Sequence, residues 1–213
     1  MKKFAENYKV IFNDRPLNVL EIGSRDGDDA NYLKEYFNIP NNKVYLVEPN
    51  PPQAIKIRLK YPEYKVFEYA ISQSVGVLKF NAITCDNDIY VGQSSLLKRK
   101  EYRHNYEKEK LKEWENWINV LSISGKILLE LIGDDEFDLV KIDVEGATYP
   151  VIKSFGEDIK KIKYIHLEAE QITLWEGQVT YDKIYEYMIK MGFKELYKIG
   201  DYPAQCDTVW YQK

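Results

Sequence analysis

The 213-residue sequence is poor in the residues that build several common catalytic centres. Its two histidines, His104 and His166, lie far apart, so a zinc site built from several histidines is disfavoured. Its two cysteines, Cys85 and Cys206, form no CxxC pair, which is typical of reduced thiols in a cytoplasmic protein. The sequence has no GxSxG turn and no GxxxxGK[ST] loop. The first absence disfavours an α/β-hydrolase, and the second excludes a P-loop nucleotidase.

Long apolar runs are also missing. No run approaches the roughly 20 residues of a membrane span, and the N-terminal segment lacks the apolar core of a secretory signal. We therefore expect a cytoplasmic protein with no membrane partner. The net charge of −4 argues against a protein that coats nucleic acid by charge alone. A hydrophobic fraction of 45% is typical of a globular chain, and the length suits one domain over residues 1–213.

Short β-rich runs alternate with helical stretches, which predicts a mainly parallel sheet with helices on both faces. The predicted strands cover residues 18–23, 44–48, 65–71, 77–82, 118–123, 139–143, 162–167, 193–197 and 208–211. The predicted helices cover residues 28–37, 126–132, 147–155 and 181–191, and a further helix opens at Pro51 and Pro52. The alternation breaks at about residues 83–117, which we interpret as an insertion or lid. Aromatic residues at helical spacing favour an amphipathic surface helix over residues 98–117, with a substrate wall as the alternative.

The first predicted strand ends in a glycine turn, EIGSRDG, at residues 21–27. Gly23 lets the chain turn sharply and lets a ligand approach the backbone, and Gly27 precedes a helix whose first N–H groups are unpaired. The spacing is GxxxG, so a dehydrogenase with its GxGxxG turn is disfavoured. Acidic side chains in and after the turn would repel a pyrophosphate and suit an amino group or a sulfonium. The turn therefore favours S-adenosylmethionine (SAM) over NAD, with an acidic turn that binds nothing as the alternative.

The second and third predicted strands end in features that fit the same ligand. Glu48, in the run LVEPN at residues 46–50, is placed for a carboxylate that accepts hydrogen bonds from two ribose hydroxyls. Ala70 and Ile71 are small and apolar and would form a wall for an adenine ring.

A later predicted strand ends in two carboxylates, Asp143 and Glu145, in the run DLVKIDVEGA at residues 138–147. Carboxylates at the carboxyl end of a central strand lie at the ligand edge of an open α/β sheet. The alternative is structural, with Asp143 as a helix N-cap and Glu145 stabilising the helix dipole.

Four runs together resemble the FkbM family of SAM-dependent methyltransferases. They are VLEIGSRDG at 19–27, VEPN at 47–50, SSL at 94–96 and KIDVEG at 141–146, of which KIDVEG is the most specific. The resemblance runs from about residue 18 to the C-terminus. It implies a Rossmann-like class I methyltransferase fold, with a seven-stranded, mostly parallel sheet whose last strand is antiparallel. It also implies O-methylation of a hydroxyl on a sugar or small metabolite.

Carried over by position, the resemblance places Glu21, Gly23 and Gly27 at the methionine end of SAM, Glu48 at the ribose and Asp143 at the methyl-transfer edge. The full set of predicted cofactor contacts is Glu21, Gly23, Ser24, Arg25, Asp26, Gly27, Glu48, Pro49, Asn50, Ala70, Ile71 and Asp143. Two acidic positions of the family are absent. Residues 123–128 read ISGKIL where the family commonly has TLD, and residues 72–74 read SQS after the third strand.

A hydroxyl acceptor needs a base because an alcohol is a poor nucleophile. The predicted catalytic residues are Asp143, Glu145 and Glu168, with His166 and Glu170 as further candidates for the base. A lone strand histidine such as His166 is more typical of a structural role, and Lys141 is more typical of an ion-pair partner. The carboxylates could hold a divalent cation, but we do not favour a metal and predict no metal ligands.

We therefore expect a SAM-dependent O-methyltransferase that acts on a small polar acceptor such as a sugar or glycoside and releases S-adenosylhomocysteine (SAH). One alternative is a non-catalytic SAM-binding or interaction module, motivated by the two missing acidic residues and by the long aromatic insertion. A less favoured alternative is a nucleic-acid methyltransferase with a short basic groove. That groove would contain Lys98, Arg99, Lys100, Tyr102, Arg103 and Tyr106. The sequence carries no feature that defines an oligomeric state.

Overall fold

A computed structural model describes residues 8, 18–85, 88–100, 112–133, 136–202 and 204–212. The strands are β1 (Val19–Ile22), β2 (Val44–Val47), β3 (Lys65–Phe67), β4 (Ala70–Ile71), β5 (Gly76–Ile83), β6 (Glu115–Ile123), β7 (Phe137–Ile142), β8 (Ile162–Glu170), β9 (Phe193–Tyr202) and β10 (Gln205–Gln212). The α-helices are α1 (Asp28–Phe37), α2 (Pro51–Lys60), α3 (Asp88–Val91), α4 (Gly125–Ile132), α5 (Thr148–Ser154) and α6 (Tyr181–Lys190). Short 3-10 helices cover Asn41–Lys43 and Gly156–Lys161.

Seven strands form the main sheet in the order β3-β2-β1-β7-β8-β10-β9. The pairs from β3 to β8 are parallel, and β10 lies antiparallel between β8 and β9. The sequences VLEI of β1 and VYLV of β2 are buried along their whole length, as expected for central strands covered on both faces. The predicted seven-stranded, mostly parallel class I methyltransferase sheet with an antiparallel last strand is confirmed.

Alternation along the strands divides the core between the two faces of the sheet. Leu20 and Ile22 of β1 pack in one cluster with apolar residues of α4, α5 and α6. Val19 packs on the opposite face in a second cluster with residues of α1 and α2. Because helices cover both faces, polar side chains collect where the parallel strands end, at the carboxyl edge. None of the helices in the described part of the chain combines the length and apolar character that a membrane crossing requires.

A second sheet of three strands, in the order β4-β6-β5, was not expected from the sequence. The prediction of one strand over 65–71 is wrong, because that stretch divides into β3 in the main sheet and β4 in the second sheet. The predicted helix over 98–117 is wrong at 98–100, where Arg99 forms an isolated antiparallel bridge with Trp175, and at 115–117, where β6 pairs antiparallel with β5. Cross-strand pairing outweighs local helical spacing there. Residues 101–111 of that predicted helix, with Tyr102, Arg103 and Tyr106, lie outside the described residues.

Candidate active site

The glycine turn after β1 brings the carboxyl ends of three strands together. Gly23 has φ +86°, and a Cβ at this position would lie 1.8 Å from the carbonyl oxygen of Asp143. The N–H groups of Gly23 and Ser24 both donate to the Val47 carbonyl, at 3.0 and 3.1 Å. The Ser24 hydroxyl donates to the Glu21 carbonyl and accepts from the Val47 N–H. The turn therefore joins β1 to β2 and leaves no room for a side chain against β7.

Two backbone N–H groups, one from the glycine turn and one from the segment after β2, hold the carboxylate of Glu48. Its Oε2 accepts from the Arg25 N–H and its Oε1 from the Asn50 N–H, both at 2.8 Å. Burial raises the pKa of Glu48 to about 7, although these two N–H groups favour the ionised form. Carboxylate oxygens can each accept more than one hydrogen bond, so Glu48 keeps acceptor capacity toward the cavity that it lines.

That cavity, here called the apolar cavity, has a volume of about 590 Å³ including its mouth. Pro49, Tyr69, Ala70, Ile71, Phe80 and Leu96 form much of its wall. The predicted contacts Gly23, Arg25, Glu48, Pro49, Asn50, Ala70, Ile71 and Asp143 all line it. The structure therefore brings most of the predicted set around one space. An apolar lining of this kind favours a flat apolar ring, and the fixed carboxylate of Glu48 can accept hydrogen bonds from a diol.

A second cavity, here called the acidic cavity, adjoins the first and has a volume of about 580 Å³. Its lining residues are Glu21, Gly23, Ser24, Arg25, Asp26, Asp29, Gly92, Lys141, Asp143 and Glu145. This set contains five carboxylates and two cations, which favours a positively charged or hydrogen-bond-donating ligand group. Gly23, Arg25, Gly92 and Asp143 line both cavities, so the two cavities share part of their walls.

Lys141, a buried residue of β7, neutralises part of the negative charge of the acidic cavity. β1 and β7 pair so that Glu21 stands opposite Lys141. The Lys141 Nζ lies 3.1 Å from Glu21, 2.9 Å from Asp29 and 3.2 Å from Asp143. Burial opposes its charge, but Asp143, Glu21 and Asp29 together raise the pKa of Lys141 well above its usual value. Burial raises the pKa of Glu21 to about 7. This geometry matches the predicted ion-pair role of Lys141.

The three predicted catalytic carboxylates meet at the edge of the sheet. One oxygen each from Asp143, Glu145 and Glu168 lies within 4.8 Å of the others. Burial and the neighbouring charges of Asp143 and Glu145 raise the pKa of Glu168 well above its usual value. Gln205 donates to Glu168 at 3.1 Å. Three such oxygens could accept hydrogen bonds from several hydroxyls of one ligand or hold a divalent cation. Helix α5 has Ala147 at its N-cap, so the alternative that Asp143 caps this helix is wrong.

The other candidate bases are less accessible. His166 is buried, with Nδ1 bonded to the Tyr8 hydroxyl and Nε2 lying 2.9 Å from Asp207. Both ring nitrogens are therefore occupied, which agrees with a structural histidine. Glu170 is 1% exposed, and burial raises its pKa to about 7.

The basic cluster proposed for nucleic acid is partly engaged within the protein. Lys98 forms an ion pair with Glu176 at 2.9 Å. The Arg99 guanidinium lies 4.9 Å from the centre of the Trp175 ring and donates to Gln93. These contacts reduce the charge available to a phosphate backbone.

Sequence reasoning missed several residues of the site. Phe80, Val91 and Gly92 line the apolar cavity, and Trp175 packs against Gly146. The contacts of Phe80 and Trp175 join segments far apart in the chain, so no local spacing signals them. Ser95 donates a hydrogen bond to the Glu145 carbonyl. In the sequence, Ser95 is marked only as part of the SSL run in the family resemblance.

A family model described as "Methyltransferase FkbM domain" matches residues 21–195. The 2-O-methyltransferase NoeI of Sinorhizobium fredii (strain NBRC 101917 / NGR234) is 27% identical over 167 residues, covering 76% of this chain. The match covers 66% of NoeI, so the chain spans just under two thirds of that relative.

Solved structures share the fold at low sequence identity. Magnesium protoporphyrin IX methyltransferase (ChlM) from Synechocystis PCC 6803, with bound SAM, has a TM-score of 0.55 and 10% identity. That match covers 100% of this chain and 77% of ChlM. Methyltransferase FkbM from Methylobacillus flagellatus KT also has a TM-score of 0.55 and 10% identity, over 91% of this chain and 43% of that one.

Proposed function

The chain belongs to the FkbM family of SAM-dependent methyltransferases, and from this premise we propose that it methylates a hydroxyl of a small polar acceptor, such as a sugar or glycoside. The product from the cofactor is SAH. The observation that carries the proposal is that Asp143 lines both the apolar and the acidic cavity. A carboxylate at this junction can meet both a methyl donor and an acceptor hydroxyl. The 2-O-methyltransferase activity of NoeI supports a hydroxyl as the acceptor.

The residues of the apolar cavity fit SAM. Glu48 would hold the ribose through its two oxygens, and Ala70 and Ile71 would flank the adenine. The bare backbone at Gly23 allows close approach to the methionine part, which carries an amino group and a sulfonium. The carboxylates of the acidic cavity favour these positive groups over a pyrophosphate. When bound, SAM supplies the methyl group.

The acceptor hydroxyl would lie beside the carboxylate trio of Asp143, Glu145 and Glu168, at the border of the acidic cavity. Asp143 accepts its proton, while Glu145 and Glu168 can accept hydrogen bonds from neighbouring hydroxyls of the same acceptor and so orient it. Glu48 and the glycine turn would hold SAM, whose methyl carbon would pass to this oxygen, and the electrons of the broken C–S bond would remain on its sulfur, giving SAH. Lys141, 3.2 Å from Asp143, compensates the charge of the ionised base.

We further propose that residues 1–213 act as one methyltransferase domain in the cytoplasm, with residues 83–117 as an insertion, of which residues 91–96 border the site. Val91, Gly92, Ser94 and Leu96 of this insertion line the apolar cavity, which supports a role in enclosing the cofactor. The sequence supports the cytoplasmic location, because Cys85 and Cys206 form no CxxC pair.

Calorimetric titration with SAM, SAH and NAD, followed by an acceptor screen, tests this function. We expect both adenosyl ligands to bind and NAD not to bind. We also expect methylation of at least one compound in a panel of sugars, glycosides and simple alcohols. Binding without transfer to any hydroxyl would favour the non-catalytic SAM-binding alternative. Absence of SAM binding would overturn the proposal.

A further inference from the structure

The turn that carries Glu145 is held in an unfavourable backbone conformation. Glu145 has φ +49° and Gly146 has φ +83°. The left-handed region is costly for a residue with a Cβ, so contacts elsewhere must hold Glu145 there. This turn follows Asp143 directly and places the Glu145 carboxylate in the trio with Glu168. The position of Glu145 therefore depends on what holds its backbone.

Ser95 makes a direct bond to this turn. Its hydroxyl donates to the Glu145 carbonyl at 2.6 Å and accepts from the Leu97 N–H at 3.0 Å. Ser95 is itself fixed by two backbone hydrogen bonds with Asn81 of β5, at 2.8 and 3.1 Å. The side chain is 1% exposed, so water does not compete for the bond.

Trp175 fills the space beside the same turn. A Cβ at Gly146 would lie 2.3 Å from Cδ1 of the indole ring. Arg99 stacks on the ring and is fixed by Gln93. Backbone bonds from the Lys100 N–H to Leu174 and from the Glu176 N–H to Lys98 join the two segments, at 2.9 and 2.8 Å. The insertion thus sets the position of the ring, and the ring limits the movement of the turn.

We propose that Ser95 and Trp175 are positioning residues that hold Glu145 beside Asp143 and Glu168 during methyl transfer. The inference rests on the proposed function, because Glu145 matters here only if the trio handles the acceptor hydroxyl. Both residues act through Glu145 and touch neither cofactor nor acceptor. The insertion would therefore have two roles: residues such as Leu96 line the apolar cavity, and Ser95 holds the turn that carries Glu145.

The first test is the Ser95→Ala variant, assayed with SAM and an acceptor found in the screen. We expect kcat to fall about 10-fold while the KM for SAM changes by less than about 2-fold, since the lost bond orients the acceptor site. Ser95→Thr keeps the hydroxyl and should restore most of kcat. Ser154→Ala is the matched control, because Ser154 also donates to a carbonyl and accepts a backbone N–H, at 2.6 and 2.8 Å.

The decisive test is a double-mutant cycle with Glu145→Gln. If Ser95 acts through the Glu145 carboxylate, Ser95→Ala should cost little further activity in the Glu145→Gln background. A purely structural role for Ser95 would give additive losses and would overturn the proposal. If Ser95→Ala does not fold, Trp175→Phe serves in the same cycle, because its smaller ring withdraws from Gly146. A wild-type protein without activity on any acceptor refutes the proposed function, whereas an active wild type with full activity in Ser95→Ala refutes only this inference.

Discussion

Gly23 and Asp143 meet where the two cavities join, with the α-carbon of Gly23 so close to β7 that a Cβ would lie 1.8 Å from the Asp143 carbonyl oxygen. The contact fixes the end of β1 against the end of β7. It also sets the distance between the proposed methionine site and the proposed base. Any side chain at position 23 would push these two strands apart.

Gly23→Ala should therefore destabilise the protein and abolish SAM binding. The left-handed backbone and the backbone clash together should cost about 3 kcal/mol or more in the free energy of unfolding. Gly133→Ala is the matched control, since Gly133 has φ +76° but open space around its Cβ position. That control should lose only about 1 kcal/mol and bind SAM normally. Denaturant unfolding measures both, and equal losses in the two variants would contradict the account.

Glu48→Gln should weaken SAM binding by roughly 10- to 100-fold, because an amide offers one acceptor oxygen where the carboxylate offers two. Its NH₂ group would also face the N–H of Arg25 or Asn50. Calorimetric titration measures the change, with Glu130→Gln on the exposed face of α4 as the control. Unchanged affinity in Glu48→Gln would remove Glu48 from the ribose site.

The affinity for SAM should also depend on pH. Burial raises the pKa of Glu48 from 4.5 to about 7, so the carboxyl is protonated below that pH and ionised above it. The ionised form is the better acceptor for two hydroxyls, so affinity should rise with pH through about 7 and fall below it.

Glu21 and Glu170 also have pKa values near 7, so a control variant is needed to assign the pH effect. Titration of wild type and Glu48→Gln at several pH values provides it. The change of SAM affinity with pH should disappear in Glu48→Gln. The same dependence of SAM affinity on pH in both proteins would assign the effect to another titratable group.

Methyl transfer should continue in the presence of EDTA. Lys141 already lies beside Asp143, and Gln205 already donates to Glu168, so the carboxylate trio has protein partners without a cation. The measurement is the rate of transfer with EDTA and after addition of Mg²⁺ or Mn²⁺. Loss of activity with EDTA that either ion restores would assign the activation of the acceptor to a metal.

Much of the main sheet could be predicted because its signals are local. Helix α1 has the predicted bounds, since Gly27 begins it and the left-handed Asn38 ends it. Glu21 and Lys141 lie at strand ends, where a parallel sheet brings buried side chains into register. The carboxyl edge of such a sheet collects polar residues by topology alone.

The features of the fold and site that could not be predicted depend on contacts between segments far apart in the sequence. The division of residues 65–71 follows from the pairing of β4 with β6, about 50 residues later. The bond from Ser95 to Glu145 and the packing of Trp175 on Gly146 also join separate parts of the chain. Residue spacing within a single segment does not predict which distant segment will contact it.

The most direct test of the central claim compares wild type with Asp143→Asn in two assays, SAM binding and transfer of a labelled methyl group to a panel of sugars and glycosides. The account predicts that wild type methylates a hydroxyl, and that Asp143→Asn binds SAM within about 10-fold of wild type while kcat falls about 100-fold or more. Equal turnover by the two proteins would contradict the role of Asp143 as the base at the junction of the two cavities.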